Sequence, residues 1–507
     1  MFGFFIYVLI LIIGAFLLPE IYFDTYSERL IYVIGPVAVW RYSWVMLSFF
    51  RAMFYRKIVF KKIRQEANAL SDESKPDHVF LLITTFRVGT SVSAVVYREA
   101  FKEAINSKMD VTIIASIVEM SEENLIRASF QQQKPPSNVK LVITRVKGSG
   151  KRDGLAVGFR VVANSKVDKA RSVVAVIDGD SILSEGLIDK CVRLFALNPK
   201  LGALTTDEDA LLEGEDNITE IYRQWYRMRF AQRHLTMSSL SLSNRVLTLT
   251  GRMSMFRANI LGDKGFIDTV QSDYISHWRL GTFDFLTGDD KSSWYHLMKE
   301  GWDTWYVPDV VVYTVEEIPD RNYFKGATTL MLRWFGNSLR TNSRALKIPR
   351  KTLGWFAWWS LYDQRTTMWT SIYGFLVGIF ASIMWGPTIM FAYLWWIMFT
   401  RLLQAGILLS SRDKILVSWP FFLYFNQIYG SLVKIYIYNH LYKQSWTRQK
   451  TKAKEGERWD QWYRKSSSDA MLSFELLTFS VLVMFLVGLL TADDLYKWLH
   501  AIATIFN

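Results

Sequence analysis

A single cysteine, Cys191, stands in 507 residues. One thiol can form no internal disulfide and no multi-cysteine metal site. It lies in Asp189-Lys190-Cys191-Val192-Arg193-Leu194-Phe195, an amphipathic helical pattern, and reads as a buried, inert helix residue. There is no internal repeat and no long low-complexity tract. No basic segment precedes the apolar run Phe2 to Leu18, and no small-residue cleavage site follows it. That pattern predicts a retained helix, not a signal peptide. Acidic residues are the scarcer charge, 47 Asp and Glu against 60 Lys and Arg, for a net +13. A nucleic-acid-binding chain can be this basic. A membrane protein can be too, because Lys and Arg collect beside helix ends on the cytoplasmic side. The apolar ends of the chain favour the membrane, and no nucleic-acid partner is expected.

Half of the residues are hydrophobic and 21% are charged. That is too much charge for a pure membrane bundle and too many apolar runs for a soluble enzyme. Two runs, Phe2 to Leu18 and Leu30 to Phe50, are each about long enough to cross a bilayer. Arg51, Arg56, Lys57, Lys61, Lys62 and Arg64 follow the second, which predicts a cytoplasmic location for the N-terminus and for the stretch after Arg51. Further apolar runs cover Met368–Trp385, Thr388–Leu409, Leu416–Tyr438 and Met471–Leu490. The basic segment Lys443 to Lys465 belongs in the cytoplasm, so one run before it cannot cross. Leu416–Tyr438, interrupted by Asn426 and Gln427, is the one read as interfacial or re-entrant. Five crossings and an external C-terminus, with Asp493 and Asp494, are expected. Arg401 is costly in lipid and should face protein or a polar path.

Between the membrane runs, Val79 to Thr85, Val111 to Val118, Val139 to Val146, Val173 to Ile177 and Leu201 to Thr205 are β-rich. Helical stretches such as Ser91 to Asn106 and Ser184 to Leu197 separate them. This alternation predicts a mostly parallel, Rossmann-like α/β sheet, whose ligands gather at the carboxyl ends of the strands. The expected layout is a membrane hairpin over residues 1–50, an α/β domain over 75–330, interfacial helices over 331–366, and membrane helices with a loop region over 367–507.

Several short motifs stand at those strand ends. Asp178-Gly179-Asp180 closes the run Val173 to Ile177. Two carboxylates there can hold a divalent metal against a nucleotide diphosphate. Asp207-Glu208-Asp209 has the same form, but Asp178 and Asp180 follow a buried strand directly. Asp289-Asp290 follows Gly288. A carboxylate beside another can be raised toward the work of a general base; a helix N-cap has the same composition. Thr84-Thr85-Phe86-Arg87 follows the first strand and is placed to meet a nucleotide. Gly150-Lys151-Arg152 opens a helix, a position that suits phosphate. Thr250 to Arg257 mixes small and basic residues between apolar ones, a composition that surface loops share. Arg333-Trp334 opens a basic aromatic segment; Arg pairs with phosphate and Trp offers a flat face to a sugar ring. An interfacial amphipathic helix would look similar.

The order of these motifs, followed by membrane helices, resembles the family 2 processive glycosyltransferases, which include cellulose, chitin and hyaluronan synthases. The resemblance runs from Val79 to Trp334. It implies a GT-A-type fold, a sugar-nucleotide donor and a cofactor of Mg2+ or Mn2+. It implies nucleotide and metal binding at Asp178 and Asp180, with the metal on Asp180. It also implies the general base at Asp290, beside Asp289 on the acceptor side, diphosphate contact at Arg333, and the acceptor sugar at Trp334. Leu330 stands where that family's motif has Gln. Leu286–Trp294 and Gln444-Ser445-Trp446-Thr447-Arg448-Gln449-Lys450 resemble most the mannuronan (alginate) synthases of the family. That branch implies GDP-mannuronic acid as donor and a β-1,4-linked polyanion as the growing polysaccharide. It implies an inner-membrane location, a cyclic di-GMP-sensing partner subunit and an export complex. The segment around Arg448 would be a gating loop near the donor phosphates. Synthesis of another β-linked polysaccharide from a UDP sugar, or transfer to a lipid carrier without processivity, remain the alternatives.

Overall fold

A computed structural model describes residues 2–19, 25–86, 88–147, 150–285, 287–446, 451–452, 458–494, 496–497 and 500. The chain divides into two units. One comprises Met1–Leu47, Asp363–His440 and Gly456–Asn507; the other comprises Ser48–Tyr362 and Leu441–Glu455.

The first unit is helical. Among the described residues, the helices Trp355–Trp385, Thr388–Leu408 and Arg458–Val487 are long and apolar enough to cross a membrane. Phe2–Leu17 is a shorter apolar helix. Large apolar side chains point outward from these helices, as at Phe2, Phe16, Phe474 and Leu477. Several polar groups within the unit are paired. Arg41 meets Asp363 at 2.6 Å. The buried Arg401 donates to Gln427 Oε1 at 3.0 Å through Nε. Tyr7 Oη and Trp395 Nε1 donate to the Met398 and Leu11 carbonyls.

The second unit is built on an eight-stranded sheet. Its strands are β1 (His78–Thr84), β2 (Asp110–Ile117), β3 (Val139–Arg145), β4 (Ser172–Asp178), β5 (Ser181–Leu183), β6 (Leu201–Leu211), β7 (Met253–Arg257) and β10 (Asp303–Val315). A separate hairpin joins β8 (Tyr274–His277) to β9 (Gly281–Asp284). The sheet order is β3-β2-β1-β4-β7-β6-β10-β5. β1 to β4 run parallel, as do β6 and β10; β7 and β5 run against their neighbours. The five runs expected as strands are β1, β2, β3, β4 and β6.

Both faces of the sheet are covered, which is why β1 is an unbroken apolar run with every residue buried. Alternate side chains feed two cores. Val79, Leu81 and Ile83 pack with the helices Thr90–Asn106 and Leu187–Leu197, including Val96, Phe101 and Cys191. Phe80 and Leu82 pack with Leu155 and Phe159 of the helix Lys151–Asn164. Each such aliphatic or aromatic side chain contributes about 1.5–3 kcal/mol by leaving water. Burial pushes the Cys191 thiol up to about 12, so it carries no thiolate at neutral pH. Glu103 accepts from the Gly186 and Ile188 amides at 2.9 and 2.8 Å and so satisfies the start of the 187–197 helix.

Parallel pairing brings the carboxyl ends of β2, β1 and β4 into one row, with Ser116, Thr84 and Asp178 opposite one another. β7 enters from the other direction and places Met253 beside Ile177. The stretch before β7, Thr250-Gly251-Arg252, therefore arrives at Asp178. It leads into the strand β7, which its loop-like composition does not announce. β7 contains no β-branched residue, and its two hydrogen-bonded neighbours supply what local preference lacks.

Candidate active site

Lys151 is the centre of the site. It opens the helix Lys151–Asn164, and its Nζ lies 2.5 Å from Asp178 Oδ1 and 2.9 Å from Asp289 Oδ2. Asp178 ends β4; Asp289 and Asp290 open the helix Asp289–Lys299. Carboxylates far apart in the chain thus share one ammonium. Burial works against the charge on Lys151, but Asp178 and Asp289 outweigh it and hold the lysine protonated well above its usual range. Burial also opposes ionisation of Asp289; Lys151 and Arg152 outweigh it and hold the carboxyl below its usual range. Asp290 goes the other way. Burial and the neighbouring Asp289 charge raise it. Lys291 next to it is driven down to about 8 by burial, with Asp290 pulling against the shift. Its Nζ donates to the Leu247 carbonyl at 3.0 Å.

Two glycines let these groups meet. A Cβ on Gly251 would lie 2.8 Å from Asp178 Oδ2 and 3.1 Å from Lys151 Nζ. One on Gly179 would lie 2.8 Å from the Thr84 carbonyl oxygen and 2.9 Å from Thr85 Cα. The Gly179 amide donates to that Thr84 carbonyl at 2.9 Å. Asp178-Gly179-Asp180 therefore folds tightly over the end of β1. Thr84 Oγ1 is buried there with no hydrogen-bond partner among the described residues. Thr85 Oγ1 is taken by Tyr97 Oη at 2.9 Å.

On the other side of Asp178, the Arg252 guanidinium meets Glu208 at 3.0 Å and Glu316 at 2.5 Å. It also feels the charge of Asp180. Burial disfavours the Arg252 charge, and Glu208 and Glu316 outweigh burial. Glu208 is almost fully buried and takes Arg233 as a second partner at 2.8 Å. Asp207, beside it, meets Tyr306 Oη at 2.8 Å and His234 Nδ1 at 3.1 Å. Asp207-Glu208 is thus a buried charge network. Glu208 and Arg252 lie in stretches the sequence singles out, but Arg233 and Glu316 do not stand out there, and only convergence in space joins the four.

Glu316 accepts from Tyr226 Oη at 3.3 Å, and Tyr226 leads to Arg333 and Trp334. Both lie on the helix Tyr323–Ala345. Trp334 is partly buried among Trp225, Tyr226 and Arg229; the Arg229 guanidinium lies 4.3 Å from its ring centre. Arg333 makes no ion pair among the described residues. The same helix braces the Asp289 turn. Asn337 accepts from Thr287 Oγ1 at 2.7 Å and from Arg340 Nη1 at 2.9 Å. Arg340 donates onward to the Leu441 and Lys443 carbonyls, both at 2.8 Å. Arg344 holds Asp273 at 2.6 Å, and Asp273 accepts from Ser292 Oγ. Arg152 does not face open solvent as a phosphate ligand at a helix start would. It donates to the Val270 and Thr287 carbonyls and to Ser292. Arg87 and Arg448 lie outside the described residues. Lys151, Asp178, Asp289 and Asp290 are thus brought together, with Thr84 and Asp180 at the same strand ends and Arg333 and Trp334 reached through Tyr226.

A mostly parallel sheet with carboxylates converging at its strand ends defines a glycosyltransferase domain of the GT-A type. The chain belongs to glycosyltransferase family 2: the family described as "Glycosyltransferase like family 2" matches residues 76–337. It is 45% identical over 490 residues to glycosyltransferase alg8 of Pseudomonas syringae pv. tomato, covering 96% of this chain and 97% of the relative. It is 44% identical over 489 residues to glycosyltransferase alg8 of Azotobacter vinelandii, with the same coverage of 96% and 97%. A mannosyltransferase of Pyrobaculum calidifontis, solved with GDP-mannose and Mn2+, gives a TM-score of 0.44 at 14% identity, over 80% of this chain and 97% of that one.

Proposed function

We propose that this glycosyltransferase is processive and inverting, that it polymerises GDP-mannuronic acid into polymannuronate, the alginate precursor, and that it exports the chain across the bacterial inner membrane. The observation that carries the reading is the single ammonium of Lys151 between Asp178 and Asp289. It ties a strand-end carboxylate suited to the nucleotide side to the Asp289-Asp290 turn suited to the acceptor side. Two relatives named glycosyltransferase alg8, matched nearly end to end, support the polymer assignment. The sequence resemblance to mannuronan synthases supports it too. Three apolar helices support a membrane seat for residues 367–507, and the shorter apolar helix Phe2–Leu17 suits one for residues 1–50; residues 75–330 are then the catalytic domain and 331–366 lie at the interface.

In this reading Thr84, Lys151, Asp178, Asp180, Arg333 and Arg448 serve the donor. Lys151 has three N–H donors; two address Asp178 and Asp289, and the third would address a phosphate oxygen. Trp334 and Asp289 serve the acceptor, and Asp290 takes the proton of the attacking hydroxyl. Among the described residues no three acidic, histidine or cysteine side chains converge as a closed metal cage. Mg2+ and Mn2+ bound with a nucleotide need only one or two carboxylates, because phosphate oxygens and water complete the shell. Asp180 would hold such a cation. When bound, the cation offsets charge on the departing nucleotide diphosphate. A cyclic di-GMP-sensing subunit and an export complex are the expected partners.

The test is Asp290→Asn in membrane vesicles supplied with GDP-mannuronic acid, the accessory subunit and cyclic di-GMP. Loss of a general base lowers the rate about 10²–10⁴-fold, with nucleotide binding retained. Polymer synthesis near the wild-type rate refutes the base assignment. Polymer from a UDP sugar alone refutes the mannuronate assignment and keeps the enzyme class.

A further inference from the structure

The helix Asn217–Ser241 carries Trp225 and Arg229 four residues apart, on one face. The Arg229 guanidinium lies 5.0 Å from the Trp225 ring centre and 4.3 Å from that of Trp334. The two indoles are 5.8 Å apart and tilted by 32°. Arg229 therefore rests on the same aromatic group that holds Trp334.

The strongest electrostatic influences on Arg229 come from Tyr226, Tyr323, Arg252 and Arg233, two phenols and two further cations. No carboxylate pairs with Arg229 among the described residues. Arg233 and Arg252 already share Glu208, and Arg252 also holds Glu316. Burial drives Arg229 down to about 10. Arg229 is partly buried, and contact with aromatic faces returns about 0.5–2 kcal/mol, which offsets only part of the cost of withdrawing a cation from water. A residue kept in that state is poised for an anion that arrives with a ligand. A neutral sugar chain on Trp334 would offer such a cation hydroxyl oxygens but no opposite charge.

We propose that Arg229 is a specificity-determining residue that binds the carboxylate of a uronosyl unit of the acceptor chain seated at Trp334. This rests on the reading of Trp334 as the acceptor platform and of the product as a polyuronate. An oxyanion at Arg229 has a second possible source in the donor diphosphate, so the experiment separates the two.

The experiment uses the full-length protein in membranes with its accessory subunit, as wild type, R229Q and R229K. Three ligands are titrated: oligomannuronate, the same oligosaccharide with its carboxyl groups reduced to alcohols, and GDP. The charge-assisted contact predicts about tenfold or weaker oligomannuronate binding in R229Q, with partial recovery in R229K, which keeps the charge. The reduced oligosaccharide and GDP should bind wild type and R229Q alike, which also shows that R229Q is folded. Equal losses for charged and neutral oligosaccharides would mean that Arg229 only supports the aromatic stack, and would overturn the proposal. A loss confined to GDP would assign the oxyanion to the donor and overturn it too. If wild-type membranes polymerise only a neutral sugar, the polyuronate reading itself has failed. If they use GDP-mannuronic acid while R229Q binds oligomannuronate like wild type, the assignment of Arg229 alone has failed.

Discussion

Replacing Lys151 by Met removes the ammonium that holds Asp178 and Asp289 at 2.5 and 2.9 Å. The three side chains are 11%, 28% and 14% exposed, so water can replace only part of what is lost. Removing one partner of a buried ion pair costs about 3–5 kcal/mol, and the exposure of Asp178 puts the expectation at the low end. For a domain of this size that is a fall in melting temperature on the order of 6 °C. The pH dependence gives a sharper test. In the wild type Asp289 is held below the usual carboxylate range, so its contribution is present above about pH 4 and is lost as pH falls through the depressed value. In Lys151→Met the burial stays and the largest opposing charge is gone, so the Asp289 pKa rises. The variant then favours the protonated form, and its stability falls as pH rises. Its deficit should be largest at pH 8 and shrink toward pH 5. Tryptophan fluorescence melting of the purified full-length protein reads this, with 20 tryptophans as reporters. Melting equal to wild type at pH 8, or a deficit that grows on acidification, refutes the reasoning.

Lys291 helps to hold Asp290 ionised. In Lys291→Met the acid limb of the rate–pH profile should therefore move to higher pH, and an unmoved or lowered limb would count against Asp290 as the titrating group. Gly179→Ala should part the ends of β1 and β4, because its Cβ would meet the Thr84 carbonyl oxygen at 2.8 Å. Such overpacking costs about 1–3 kcal/mol. Calorimetric titration with GDP should show weakened binding, and wild-type affinity would refute the placement of the nucleotide there.

The strands that could be read from the sequence were those whose local preference and burial agree. β1, β2, β4 and β6 are β-rich runs covered on both faces, and β3 is a half-buried β-rich run at the edge of the sheet. β7 could not be read, because Met253-Ser254-Met255-Phe256-Arg257 takes its place only when β4 and β6 flank it. The site divides in the same way. Asp178 and Asp180 were legible as carboxylates ending a strand, and Asp289-Asp290 as a pair opening a helix after glycine. What links them was not. Lys151 reads as a phosphate-binding residue at a helix start, and nothing local predicts that Asp178 and Asp289 both reach it. Arg229 sits mid-helix, where an arginine attracts no notice; only its spacing from Trp225 could have marked it.

The two carboxyls at the start of the 289–299 helix are chemically identical and adjacent, and their surroundings drive them in opposite directions. Asp289 is held low by Lys151 and Arg152, whereas Asp290 is raised by burial and by Asp289 itself. Neighbouring titratable groups pushed apart in this way point to separate tasks. A base must have a proton affinity worth using, and it must be able to reach the acceptor hydroxyl. Asp289 meets the first need poorly: its charge is stabilised by a 2.9 Å ion pair with Lys151, which a proton on the carboxylate would weaken. Asp290 carries no such pair among the described residues, and its affinity for a proton grows because Asp289 stays ionised beside it. In the proposed reading Lys151 steadies Asp178 on the donor side and keeps Asp289 ionised beside the base, while its own charge pulls Asp290 the other way. That reading couples donor side and acceptor side through one side chain, so a substitution at Lys151 should weaken both together.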